Sequence, residues 1–345
     1  LESPVPRGGG LRPVLLVVVL TALLVLLCLL SIALGALSIP IDEVVRALFG
    51  HPESTRVENV IWSVRIPRTA LGLAAGAALG LAGALMQALT RNPLADPGVL
   101  GVSAGAAFAI VVSIAFLGVG SLFGYIWFAF AGALVASVAV YLLGGLGRSG
   151  QTPVKLALAG VAVTSLLTSL TGAVALTEPD ALNRYRFWNA GSLADRDAGV
   201  VLQVLPFLVV GALLALSSAP ALNSLAFGDD VAASLGRRLG LVRLRGVAAV
   251  TLLTGAAVVA IGPVVFVGLV VPHVARVLAQ QAGIGPDHRW LLPLSAVLAP
   301  CLVLAADIIG RLVVRPSEIQ AGILVAFIGA PFFIALVRRR RLAEV

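Results

Sequence analysis

Charge is what this chain has least of. Only 12% of its 345 residues are Asp, Glu, Lys or Arg, while 59% are hydrophobic and the mean hydropathy is +1.06. Soluble domains carry about a quarter charged residues, so water is excluded as the solvent for most of the surface and a bilayer is implied. Cysteine is nearly missing too. Cys28 and Cys301 both lie inside apolar runs, which excludes a disulfide framework or a thiolate metal site and leaves two small core thiols. Lys155 is the only lysine, and no G-x-x-x-x-G-K-S/T pattern surrounds it. Without a P-loop, the chain has no ATP-hydrolysing site of its own. His51, His273 and His288 fall in no H-E-x-x-H, no Ser/His/Asp pattern and no metal-ligand cluster, so no catalytic and no metal residue is assigned. Buried carboxylates in the series that relays protons are also lacking. The net charge of +8 arises from basic residues scattered between apolar runs, which argues against nucleic acid as a partner.

What is present is apolar length. A hydrocarbon core of about 30 Å needs about 20 helical residues, so uncharged runs convert into crossings. The first run, 13–41, holds 29 residues and is too long for a signal-peptide core, so it reads as a retained helix. Runs 69–90, 156–177, 198–217, 290–306 and 319–337 each give one crossing. The 50-residue run 98–147 is broken at Gly118, Gly120, Ser121 and Gly124, with Tyr125 and Trp127 beside the break as interfacial aromatics. Gly262-Pro263 likewise divides 246–280. The expectation is an all-α membrane protein of ten transmembrane helices. The whole chain, 1–345, forms one transmembrane domain, embedded over about 11–338, with 218–245 on the cytoplasmic side.

Lys and Arg are retained in the cytoplasm. With the N-terminus inside, 15 of them fall inside and 9 outside, against 6 acids inside and 10 outside. The orientation expected is therefore N-in and C-in.

Gly72, Gly76, Gly80 and Gly83 recur at helical spacing on the second helix and predict a close packing seam that Gln87 extends. Thr164, Ser165, Thr168 and Thr171, with Ser169, give the fifth helix a mildly polar stripe. Such hydroxyls line a path for a large solute or satisfy neighbouring backbone, and the sequence leaves both open.

A series of unusual strings follows in order along the chain. Arg65-Ile66-Pro67-Arg68 comes first, then Arg91-Asn92-Pro93-Leu94-Ala95-Asp96-Pro97-Gly98 and Leu100-Gly101-Val102-Ser103-Ala104-Gly105-Ala106. Leu158-Ala159-Gly160-Val161-Ala162 and Trp188-Asn189-Ala190-Gly191-Ser192-Leu193 come next. Phe227-Gly228-Asp229-Asp230-Val231-Ala232, Phe266-Val267-Gly268-Leu269, Pro272-His273, Asp287-His288-Arg289, Ala306-Asp307 and Gly329-Ala330-Pro331-Phe332-Phe333 complete it. Over about 42–338 this order resembles the FecCD/BtuC family, the permeases of type II ABC importers for ferric siderophores, haem and cobalamin. One departure is Gln320, where the family commonly has proline.

The resemblance implies a permease subunit in the bacterial inner membrane that moves a bulky metal chelate, a ferric siderophore foremost. Its implied partners are a second permease subunit, identical or homologous, two cytoplasmic ATPase subunits and an extracytoplasmic solute-binding protein. ATP and Mg belong to the ATPases, and no cofactor is expected on this chain.

Carried over by position, Asn223, Gly228, Asp229, Asp230, Ala232, Leu235, Gly236, Arg237 and Arg238 correspond to the segment that docks on the ATPases. The local pattern of acids first, then Gly236 and two arginines, also suits a short capped helix. Arg65, Arg68 and Arg311 match positions that meet acidic residues of the binding protein, and all three fall outside in the topology above. An i,i+4 pair of Arg311 with Asp307 is a compatible alternative. Thr152, Pro153 and Val154 align with the cytoplasmic gate. The residues alone leave a second class open, an ion-coupled secondary transporter, which would also hold its substrate between half-bundles.

Overall fold

The computed structural model describes residues 11–119, 122–145, 153–194, 196 and 198–341. Among the described residues the chain is helical and contains no strand. The first half comprises α1 (Leu11–Ala33), α2 (Ile41–Leu48), α3 (Thr55–Asn59), α4 (Ile66–Thr90), α5 (Val102–Leu117), α6 (Leu122–Gly144) and α7 (Pro153–Thr177). The second comprises α8 (Pro179–Asn189), α9 (Ala198–Ser217), α10 (Ala219–Leu225), α11 (Asp229–Ser234), α12 (Leu239–Ile261), α13 (Val267–Gln281), α14 (His288–Val313) and α15 (Ala321–Arg341). Among the described residues, seven helical runs are long and apolar enough to cross a membrane, and two shorter ones, Val102–Leu117 and Ala321–Ala335, are apolar as well.

The helix breaks fall where the turn residues sit. The chain leaves α5 at Gly118 and α12 at Gly262, as the Gly-rich and Gly-Pro signals predict. Pro220 behaves differently from a helix terminator. It lies in the first turn of α10, where a missing N–H and a fixed φ are tolerated.

α4 occupies the centre, packed by α14, α12, α13 and α9. Its small residues make that possible. A Cβ on Gly80 would lie 2.2 Å from the Ser295 carbonyl oxygen of α14, and one on Gly83 would lie 2.1 Å from that of Gly268 in α13. Between apolar helices in lipid there is no hydrophobic force, so close van der Waals approach of this kind holds the bundle together. α1 and α7 show most of their surface, with Leu15, Val18, Val25 and Leu29 exposed on α1 and Leu158, Val161, Leu166 and Leu176 on α7. Apolar side chains in that position suit acyl chains.

Candidate functional site

The polar groups gather at the two ends of α4, whose 25 residues separate them by about 37 Å. Between them Gln87, buried on the seam face, donates to the carbonyls of Gly268 and Leu269 at 3.2 Å each and accepts from Arg276.

At the N-terminal end, α3 leads through a wider π-helical turn, Val60–Arg65, into α4. This brings Arg65 and Arg68 against α1 and α14. Arg68 donates from Nη2 to Asp307 Oδ1 at 2.7 Å and from Nε to both carboxylate oxygens at 3.1 Å. Its Nη2 also pairs with Glu318 at 2.8 Å. Arg311 meets the other Asp307 oxygen at 2.9 Å, and donates to Ser31 Oγ and to the carbonyls of Ser31 and Leu34. Arg65 donates to the carbonyls of Ile32 and Ala33 at 2.8 Å and of Leu37 at 2.7 Å. Two guanidinium groups thus satisfy the last carbonyls of α1, which a helix C-terminus otherwise leaves without partners.

Arg65, Arg68 and Arg311, which the resemblance matches to positions that meet a binding protein's acidic residues, already have partners within this chain. They are buried, at 3%, 5% and 2% exposure, with Arg65 held by carbonyls, Arg68 by carboxylates and Arg311 by both. They form the floor of a recess of about 390 Å³ walled by Gly35, Leu37, Val60, Val64, Pro316 and Glu318. The i,i+4 pair of Asp307 with Arg311 is present within that floor.

At the opposite end, α10 and α11 pack between the C-terminus of α4 and the heads of α12 and α14. Asn223 on α10 donates to Asp287 Oδ1 at 2.6 Å, and its carbonyl oxygen accepts from the His288 backbone N–H at 2.9 Å. Asp287 also caps α14 by accepting from the Arg289 N–H at 2.8 Å. Burial pushes the Asp287 carboxyl up, but the Arg289 N–H, the Asn223 amide and the nearby charges of Arg289 and His288 outweigh it and hold it below the usual carboxylate range. Asp229 opens α11 and bridges Arg91 at 3.0 Å and Arg243 at 2.6 Å. Phe227, Val231 and Leu235 recur at a spacing of four and are exposed, beside Arg237 and Arg238. Asp230 and Gly236 are exposed as well, and Ala232 is buried beneath them.

The profile of the FecCD transport family matches residues 23–339. The chain belongs to the FecCD transport family. Among FecCD relatives, it is 48% identical over 322 residues to the ferric enterobactin transport system permease protein FepD of Escherichia coli, covering 93% of this chain and 94% of that one. It is 42% identical to the iron(3+)-hydroxamate import system permease protein FhuB of Bacillus subtilis, covering 94% and 84%. A solved metal-chelate-type ABC transporter in an inward-facing conformation superposes with a TM-score of 0.81 at 28% identity, covering 95% of this chain and 99% of that one.

In this FecCD chain the α7 stripe is divided. Ser165 and Thr168 are exposed and Thr164 is half-buried, but Thr171 turns inward and returns its hydroxyl to the Leu167 carbonyl at 2.7 Å. Of the two readings the sequence leaves open, Thr171 takes backbone satisfaction, since back-bonding suits a hydroxyl that packs against neighbouring helices. Of the expected gate, Thr152 and the Pro153 side chain lie outside the described residues, while Val154 is exposed in the first turn of α7. Sequence reasoning missed Arg91, Arg243 and Asp287 as partners of the α10–α11 segment. Only the charge opposite to Asp229 and the Asp before the apolar run of α14 could have signalled them.

Proposed function

We propose that this chain is the permease subunit of an ATP-binding-cassette importer for iron(III) chelates, with a ferric siderophore as its cargo. It crosses the inner membrane ten times with both termini in the cytoplasm, and pairs with an identical or homologous permease subunit. Two ATPase subunits carrying ATP and Mg dock on α10–α11. An extracytoplasmic binding protein docks at the recess end, where the buried arginines act as a rigid charged floor and Glu318 adds a partly exposed negative charge. The exposed hydroxyl face of α7 borders the central path, and Thr152 to Val154 lie at its cytoplasmic mouth.

The observation that carries this reading is the end-to-end likeness to FepD, 48% over 93% of the chain. The exposed Phe227, Val231 and Leu235 stripe gives local support. Apolar residues rimmed by charge are what a docking surface for a soluble partner needs. The bias of Lys and Arg toward one side supports the orientation.

Reconstitution tests the reading. The chain is incorporated into proteoliposomes with its ATPase and binding protein, and offered ferric enterobactin and a ferric hydroxamate. ATP-dependent accumulation that persists when proton and sodium gradients are collapsed is expected. Gradient-driven uptake by this chain alone would instead establish the secondary-transporter alternative.

A further inference from the structure

The α10–α11 segment is held by unequal means. α10 buries Ala219, Leu222 and Leu225, but α11 buries only Ala232. One alanine supplies little packing. What else fixes α11 is the Asp229 carboxylate, and its two oxygens go to different helices. Oδ1 takes Arg91 at the end of α4, and Oδ2 takes Arg243 in α12. Arg91 is the C-terminal cap residue of α4, in the left-handed region at φ 49°, so its bridge to Asp229 joins α11 to the very end of that helix. Asn223 fastens α10 elsewhere, to Asp287 and the His288 N–H at the head of α14. Between the two attachments lies Gly228 at φ 106°, a conformation that favours glycine and forms a joint.

These ion pairs are partly solvated, with side-chain exposures of 41%, 35% and 24% for Arg91, Asp229 and Arg243. Pairs of that kind add little to stability. Their value is directional, since a carboxylate shared between two arginines fixes α11 against α4 and α12 together. α4 in turn meets α14 at backbone distance through Gly76 and Gly80, so the helix attached to α10 and the helix attached to α11 form one packed pair.

We infer that Asp229 and Asn223 are positioning residues that carry ATPase movement into the bundle. Asp229 latches α11 to α4 and α12, Asn223 latches α10 to α14, and Gly228 is the joint between them. This rests on the importer reading above and goes beyond it by naming the intramolecular attachments.

The test uses the full complex in proteoliposomes and reads chelate imported per ATP hydrolysed. Asp229→Asn is expected to lower that ratio about fivefold, and Asn223→Ala to lower it as well. Combining Asp229→Asn with Arg91→Gln is expected to be no worse than Asp229→Asn alone, because both remove the same bridge. The triple exchange Arg91→Asp, Asp229→Arg, Arg243→Asp restores the ratio. A wild-type ratio in Asp229→Asn, multiplied losses in the combination, or no recovery in the exchange overturns the inference. So does loss of the ATPase from purified Asp229→Asn complex, which would assign the carboxylate to the docking surface. A wild-type complex with no chelate-stimulated ATP hydrolysis refutes the importer reading itself, and this inference falls with it.

Discussion

Arg68 and Asp307 stand 239 positions apart and meet through three hydrogen bonds, with side chains only 6% and 1% exposed. The pair ties the head of α4 to the last turns of α14. Because Arg311 and Glu318 join it, the charges nearly neutralise one another and a helix end can remain in a poorly solvated place.

Breaking that pair from one side leaves an uncompensated buried charge, so Asp307→Asn or Arg68→Ala is expected to destabilise the protein by about 3–5 kcal/mol. Replacing both, Arg68→Met with Asp307→Leu, should recover little of the loss, because Arg311 then stays buried without its carboxylate and Glu318 loses its cation. Unfolding midpoints in detergent compare the variants. An unshifted midpoint in both single variants would contradict the buried network.

The seam of α4 makes a contrast between glycines. Gly80→Ala forces its Cβ onto the Ser295 backbone oxygen, which cannot rotate away, and should cost about 1–3 kcal/mol. Gly172→Ala on α7 meets nothing within 4 Å and should leave the midpoint unchanged or raise it. Equal effects at the two positions would show that the seam is not tightly packed.

Asp287 sets a pH dependence of known sign. Its carboxyl is held below the usual range, so its contribution is complete above about pH 4 and is lost as pH falls through the depressed value. Asp287→Asn should therefore trail wild type in thermal midpoint near neutrality and converge with it under acid. A gap that stays constant between neutrality and pH 3 would show that the carboxylate charge contributes nothing.

Topology is open to cysteine labelling in a background in which Cys28 and Cys301, both free thiols, are replaced by serine. Ser54→Cys and Ser317→Cys should react with an impermeant reagent in intact cells. Ser234→Cys and Gln281→Cys should react only after permeabilisation. Labelling of Ser234→Cys from outside would reverse the orientation, and a split within either pair would change the number of crossings.

The solvent, the helical class, the breaks at Gly118 and Gly262 and the α4 seam are legible along the chain, because each depends on a local run, a turn residue or a short spacing. The family is legible as well, through strings that require no contact. Tertiary structure decided where the charges went. A rule that ends a span at the first charge stops the α14 run at Ala306, whereas the helix continues to Val313 because Asp307 finds Arg68 on a distant segment and Arg311 finds Asp307 and the end of α1. Nor does spacing along the chain reveal the carbonyls that Arg65 satisfies, two at the end of α1 and one at Leu37 just beyond it. Asp229 read as a helix-start acid and proved to be a bridge between α4 and α12. Pairing of a charge depends on which segments the fold brings within about 3 Å, and spacing along the chain carries no information about that.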